Sequence, residues 1–308
     1  MTGPILPPGI EEQRIPLNGS PTRVLLRAGS GGPVVVFLHG FPEQSYAWIP
    51  VMEHMPAPFT CLAFDQRGFG VSHNPWPDLT GFALPGLVAD VAAVVAAFGG
   101  SSAHIVGHDW GAAVAYGTGF LRPDLTETLT VLNGVHPIPF QRALAAGGAQ
   151  SAASQYIPWL RSDGVEAVLR ADGFARLRGL FAAHMDMAWL TGDLEALYRR
   201  EWSRPNALEG MLSWYRASPL RVAEPGKPIP PEELPRLDPD TLRIPMPHHL
   251  IWGENDTALL PEAHEGLADL CASLLVSEVA GADHWLHHQK PAEVAALIAG
   301  FLQKAPGA

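Results

Sequence analysis

The first third of the chain alternates short, unbroken apolar runs with longer stretches of helical spacing. Val34-Val35-Val36-Phe37-Leu38 is apolar throughout and mostly β-branched, and it stops at His39-Gly40, as a strand buried on both faces does. Thr60 to Phe64 is a second such run and leads into Asp65-Gln66-Arg67-Gly68-Phe69-Gly70, a glycine-rich loop. From Leu84 to Phe98 the period changes: Leu87, Val91, Val94, Val95 and Phe98 share one helical face, and Gly99-Gly100 end it. His104 to Gly107 predicts a short strand that runs straight into a small-residue helix start, Gly111 to Ala115. Leu129 to Leu132 predicts the next strand. This rhythm is that of a mostly parallel sheet with helices on both sides.

The rhythm breaks after His136-Pro137. From about Ile138 to Arg221 the pattern is helical and rich in aromatics, with no buried-strand run. A proline-rich stretch, Pro225 to Pro247, reads either as a linker between independent domains or as the return path to the sheet. Strand patterns beyond it, His249 to Trp252 and Leu274 to Val276, favour the return path, and Pro291 to Leu302 predicts a closing amphipathic helix. The expected organisation is a core in two parts, 1–137 and 241–308, with a helical lid and its proline-rich return over 138–240. Such a lid would cover the carboxyl edge of the sheet, where open α/β sheets bind ligands.

Composition narrows the partners. A net charge of -11 repels phosphate backbones, and no basic run offsets it, so nucleic acid is not expected. No apolar run approaches the ~20 residues that span a bilayer, and no secretory leader opens the chain, so a soluble cytoplasmic protein without membrane partners is expected. Arginine outnumbers lysine, and alanine, glycine and proline are abundant, as in GC-rich bacterial coding sequences. Cys61 and Cys271 each lie in an apolar stretch and read as two buried free thiols rather than a disulfide.

The chemistry concentrates in Gly107-His108-Asp109-Trp110-Gly111, between a strand and a helix. A sharp strand-to-helix turn leaves room only for hydrogen at flanking positions and lifts the central side chain above the sheet edge, beside a helix N-terminus that favours negative charge. Where such an elbow carries serine, acyl carbonyls are attacked. Aspartate at the centre instead suits attack on an sp³ carbon bearing a leaving group, through an alkyl ester. The competing role for Asp109 is a plain helix cap. His39-Gly40-Phe41-Pro42 follows the first buried strand, and the N–H groups of Phe41 and Trp110 are candidates for an oxyanion hole.

Trp252-Gly253-Glu254-Asn255-Asp256 and Ala282-Asp283-His284-Trp285 each follow a late strand. Asp256 is the candidate orienting acid, with Glu254 its rival, and His284 the candidate base. The order nucleophile, acid, histidine is that of the serine-elbow hydrolases. His54, His73, His264 and the pair His287-His288 read as solvated or structural. His248-His249 cannot share a metal, because neighbours on a strand point to opposite faces.

Taken together, "HGFPE" from His39, "DQRGFG" from Asp65, "GHDWG" from Gly107, "WGENDTALLPE" from Trp252 and "DHW" from Asp283 resemble the α/β-hydrolase-fold epoxide hydrolases, over about residues 10 to 304 and in the same order. The resemblance implies a mostly parallel eight-stranded sheet flanked by helices, with an inserted helical lid, and an aspartate-nucleophile branch that haloalkane and haloacetate dehalogenases share. It also implies two lid tyrosines holding the epoxide oxygen. Tyr156 in "SQYIPWLRSDG" and Tyr215 in "SWYRAS" match these two positions. The family commonly has glycine before its histidine, and this chain has Asp283. The implied reaction is hydrolysis of an epoxide to a vicinal diol, with Asp109, His284, Asp256, Tyr156 and Tyr215 catalytic. His39, Phe41, Trp110, Trp159 and Trp285 would contact substrate. No metal or organic cofactor is expected, and the partners are a small apolar epoxide and water, in a monomer or homodimer. A dehalogenase using the same aspartate is the first alternative, and a non-catalytic ligand-binding relative the second.

Overall fold

The computed structural model describes residues 6–183 and 185–304. The chain begins with a hairpin, β1 (Glu11–Leu17) and β2 (Ser20–Arg27), joined at Asn18-Gly19 with both residues at positive φ. That is the two-residue turn whose twist matches paired strands. It is followed by β3 (Val34–Leu38), α1 (Ile49–His54), β4 (Thr60–Phe64), α2 (Leu84–Ala97), β5 (Ala103–His108), α3 (Trp110–Leu121) and β6 (Thr126–Leu132). Six helices come next: α4 (Pro137–Ala145), α5 (Ala149–Ala153), α6 (Tyr156–Leu160), α7 (Val165–Ala182), α8 (Gly192–Trp202) and α9 (Ala207–Ala217). The sheet resumes with β7 (Ile244–Gly253) and β8 (Cys271–Val279), and α10 (Leu286–Gln289) and α11 (Pro291–Leu302) close the fold.

The eight strands form one sheet in the order β1-β2-β4-β3-β5-β6-β7-β8. The first two pairings are antiparallel and all the others parallel. Chain order reverses at β3, which has β4 on one side and β5 on the other. The loops after β3 and β5 therefore leave the carboxyl edge side by side, opening the crevice where such sheets bind ligands. Alternation along β3 feeds two cores. Val36 and Leu38 join Val91, Val94 and Val114 on one face, and Val35 and Phe37 join Met52, Val294 and Ile298 on the other.

Several expected elements prove longer. β7 starts five residues before the expected His249 and takes in Pro245 and Pro247, a tolerated intrusion because its register with β8 shifts between Ile244 and Pro247. β8 is an edge strand whose Leu275 and Val276 are about half exposed, so its apolar run understates its length. The hairpin carried no apolar signal because β1 is mostly polar; only the Asn-Gly pair marks it. Both cysteines are buried and free. Among the described residues no helix is long and apolar enough to cross a membrane.

Helices α4 to α9 form an insert between β6 and β7, which are neighbours in the sheet. Its entry and exit are tied together, with His136 Nε2 2.8 Å from the carbonyl of Leu242. Two buried indoles hold it to the core. Trp202 donates to the carbonyl of Pro42 at 2.7 Å, and Trp214 to that of Arg67 at 2.8 Å, on the loops after β3 and β4. α7 is broken at Ala171–Phe174, where the backbone leaves helical angles.

Candidate active site

Asp109 stands between β5 and α3 with φ 52 and ψ -121, an arrangement that aspartate adopts only under constraint. The constraint is close packing. A Cβ on Gly107 would strike the backbone of Gly111, and a Cβ on Gly111 would strike the carbonyls of Leu38 and His39. Any larger residue at either place would push the turn off β3. Asp109 starts α3 without making a side-chain cap bond, so the capping role is not what holds it. Its carboxylate is 17% exposed. Oδ1 accepts the N–H of Phe41 at 2.7 Å. The Trp110 N–H, in the first turn of α3, has no intrahelical acceptor available to it.

On the other side of the carboxylate lies His284, with Nε2 3.7 Å from Asp109 Oδ2. Its Nδ1 is 2.8 Å from Asp256 Oδ2. Since the carboxylate can only accept, Nδ1 carries a proton and Nε2 faces Asp109. Asp256 is itself fully engaged: Oδ1 accepts the N–H groups of Ala258 at 2.8 Å and Leu259 at 3.0 Å. Oδ2 also accepts Asn133 Nδ2 at 2.6 Å, while Asn133 Oδ1 accepts the Gly253 N–H at 2.7 Å. Burial works against the charge on Asp256, but His284 and these donors outweigh it and hold the carboxyl below its usual range. Burial likewise works against a cationic His284, yet Asp256 first, then Asp109, raise it to about 9. Glu254, the rival acid, is exposed and makes no contact with the histidine among the described residues.

Tyr156 on α6 and Tyr215 on α9 face Asp109 from the insert, their ring centroids 6.3 Å apart. Burial, with the charge of Asp109 adding, pushes both phenols up, so both remain protonated donors. Tyr46 and Tyr198 donate to Glu12 and Glu43, and Tyr116 pairs with His248. Tyr156 and Tyr215 have no such acceptor among the described residues. Two cavities meet at Asp109 and these tyrosines. One, of about 320 Å³, is walled by Trp110, Val135, Phe140, Trp214, Leu220 and Leu259. The other, of about 340 Å³, is walled by Phe41, Phe181, Met185, Thr257, His284 and Trp285.

Of the expected substrate contacts, Phe41, Trp110 and Trp285 line these cavities. His39 and Trp159 do not, and their placement corrects that expectation. His39 is buried beneath the loop, with Nε2 accepting the Gln66 N–H at 3.0 Å and Nδ1 on the Gly40 carbonyl at 3.0 Å. Trp159 turns away, and its ring lies under the guanidinium of Arg176. His248 and His249 point to opposite faces, onto Tyr116 and Ser277.

A second polar group lies directly behind the site and was not legible in the sequence. The buried carboxylate of Glu43 receives Tyr198 Oη at 2.9 Å, His288 Nε2 at 2.6 Å and His287 Nε2 at 3.1 Å, with His108 Nδ1 at 3.5 Å. His287 and His288 are thus buried structural partners, not solvated ones. Burial opposes the charge of Glu43, but the histidines hold its carboxyl well below the usual range. His108 Nε2 in turn donates to the carbonyl of His284 at 2.8 Å, so the cluster braces the histidine loop. Donor atoms of Glu43, His108 and His287 lie within 4.8 Å of one another, close enough for a metal ion. Hydrogen bonds already serve the carboxylate, so its burial needs no ion to explain it.

Comparison with known proteins fits this arrangement. Residues 33–291 match the model of the alpha/beta hydrolase fold. The chain is 30% identical over 297 residues to the AB hydrolase superfamily protein YfhM of Bacillus subtilis, spanning 96% of this chain and 99% of that one. An epoxide hydrolase structure from metagenomes of hot environments superposes with TM-score 0.83 at 32% identity, over 95% of this chain and 98% of that one. A mutant of a Bacillus megaterium epoxide hydrolase, complexed with its product (R)-3-[1]naphthyloxy-propane-1,2-diol, superposes with TM-score 0.81 at 29% identity, over 95% and 100%. The chain belongs to the α/β-hydrolase fold family, and the relatives it matches along nearly their whole length include epoxide hydrolases.

Proposed function

We propose that the protein hydrolyses an uncharged, apolar epoxide to a vicinal diol through an ester on Asp109. The observation that carries this reading is the pairing of Asp109 with two phenols across the junction of the two cavities. Ring opening leaves an alkoxide, which departs only if it receives a hydrogen bond or proton. Tyr215 is buried and Tyr156 partly so, and both are protonated and without an acceptor among the described residues, which suits them to that task. Asp109, its Oδ1 held by Phe41, would attack one ring carbon with Oδ2. His284, oriented by Asp256, would then take a proton from water, and the water would add to the ester carbonyl. The oxyanion formed there would rest on the N–H groups of Phe41 and Trp110. The apolar walls of the first cavity, Trp110, Phe140, Trp214 and Leu220, suit an aryl or alkyl substituent.

Single-turnover hydrolysis of an aryl epoxide in ¹⁸O-water tests this directly. The label is expected in Asp109 and not in the diol, because water adds to the ester carbonyl. Label found only in the diol would mean direct attack of water on the ring and would refute the ester. Asp109→Ala is expected to abolish turnover with the fold retained. Haloalkanes and haloacetates run beside the epoxides give the contrast, since faster halide release than diol formation would point to a dehalogenase.

A further inference from the structure

The residue before His284 is a carboxylate with an unusual set of partners. Asp283 is 6% exposed, and among the described residues its carboxylate is met by N–H groups. Oδ1 accepts the Trp285 N–H at 2.9 Å and Gln289 Nε2 at 2.8 Å. Oδ2 accepts at 2.7 Å the main-chain N–H of Asp186, in the segment of the insert between α7 and α8. Gln289 completes the arrangement. Its Oε1 accepts the Asp283 N–H at 2.9 Å, and its Nε2 reaches the carbonyl of Asp186 at 3.1 Å. Both polar groups of one insert residue are therefore gripped as a neighbouring strand would grip them, but by two side chains.

The gripped segment is pinned on either side. Phe181 meets Trp285 edge-on at 5.5 Å, and Trp189 stacks on His288 at 3.7 Å with the planes 2° apart. Ala183 and Met185 beside it line the cavity that also holds His284 and Trp285. A buried carboxylate is stable only while its hydrogen bonds are made, so this contact is closed or broken with little between.

We propose that Asp283 and Gln289 are positioning residues that clamp the insert at Asp186 to the loop carrying His284, so that the cavity wall and the histidine move as one body. The role in turnover rests on the ester reading of the site given above. Because Tyr156 and Tyr215 stand on α6 and α9, outside the gripped segment, the clamp acts on ester hydrolysis and spares ester formation.

Amide hydrogen exchange at Asp186 and pre-steady-state kinetics with an aryl epoxide test this on wild type, Asp283→Asn, Gln289→Leu and the double variant. In Asp283→Asn either orientation of the amide sets an NH₂ against at least one donor. Exchange at Asp186 is expected to quicken about 10- to 100-fold, as loss of a charged hydrogen bond allows. Ester formation should stay within about twofold of wild type while ester hydrolysis slows about tenfold. The double variant should be no worse than the poorer single one, since the two residues act as a unit. Unchanged exchange at Asp186 in both single variants would remove the clamp. Faster exchange with unaltered ester hydrolysis, or with both steps slowed alike, would remove its positioning role. A wild-type protein that forms no ester on Asp109 would overturn the functional reading instead, and the exchange at Asp186 would still decide the clamp.

Discussion

The charge on Asp109 should set the basicity of His284, and the reaction itself should switch it. In the free protein His284 is held at about 9 by Asp256, Asp109 and Glu43, with Asp109 Oδ2 3.7 Å from Nε2. The proposed ester would leave Asp109 neutral. At 3.7 Å and an effective dielectric of about 20, the lost attraction is about 4 kcal/mol, or roughly 3 pKa units as an upper limit. Water in the cavities and the partial exposure of Asp109 reduce it, so a fall of about 1–3 units is expected, to about 6–8. The sign follows from losing an anion beside a cation, which lowers the pKa. His284 would thus stand as imidazolium while Asp109 attacks and become a base near neutral pH once the ester exists. Asp109→Asn mimics the neutral ester without changing shape. Titration of ¹⁵N-labelled His284 by NMR in wild type and Asp109→Asn is the measurement. Ester hydrolysis in wild type should also rise with pH through the lower value. A His284 pKa that stays within about 0.3 units in Asp109→Asn would refute the electrostatic argument.

Three further outcomes follow from other contacts. Tyr156→Phe and Tyr215→Phe should each slow ester formation by about one to two powers of ten, and the double change much more, since general acid assistance of typically 10²–10⁴ is shared; undiminished formation in the double variant would dismiss the tyrosines. Asn133→Ala removes a donor from Asp256 and an acceptor from Gly253, and should lower ester hydrolysis by about tenfold while leaving ester formation near wild type, read by the same kinetics. Burial holds His248 at about 4, so its contribution of about 3 kcal/mol is present above the unfolded value of 6.5 and lost as pH falls toward 4. In His248→Phe the decline of Tm over that interval should be shallower than in wild type; an equal decline would assign acid lability to other groups.

Legibility in the sequence followed the range over which a residue's role is decided. Asp109, Asp256 and His284 follow β5, β7 and β8, and a strand end can be seen in a handful of neighbouring residues. Their order along the chain then suffices to bring them together, because parallel strands deliver all their carboxyl ends to one edge. Asn133 was missed although it also follows a strand, since nothing near it shows that its partner is Asp256, 123 residues away. Glu43 and His287 pair across 244 residues, and a histidine pair beside a glutamine and a lysine reads locally as solvated or structural alike, with nothing to name so distant a partner. The errors over His39 and Trp159 have the same root. Both sit in segments that reach the site, but which way a side chain turns within a segment is fixed by Gln66 and Arg176, which belong to other elements.

The bond between His136 and the Leu242 carbonyl gives the insert a property of its own. Because β6 and β7 are parallel neighbours, an excursion of about a hundred residues leaves from the carboxyl end of one and returns to the amino end of the other, and the bond from His136 to Leu242 closes its two stems onto each other. A segment anchored so closely imposes almost no strain on its host, and changing its length alters the entropy of closing the loop by only about 0.6 kcal/mol per doubling. The sheet can therefore keep Asp109, Asp256 and His284 in register while the segment that carries Tyr156 and Tyr215 is lengthened, shortened or exchanged. In such a design the groups proposed to react are inherited with the scaffold, and the choice of what reaches them is carried by a replaceable part.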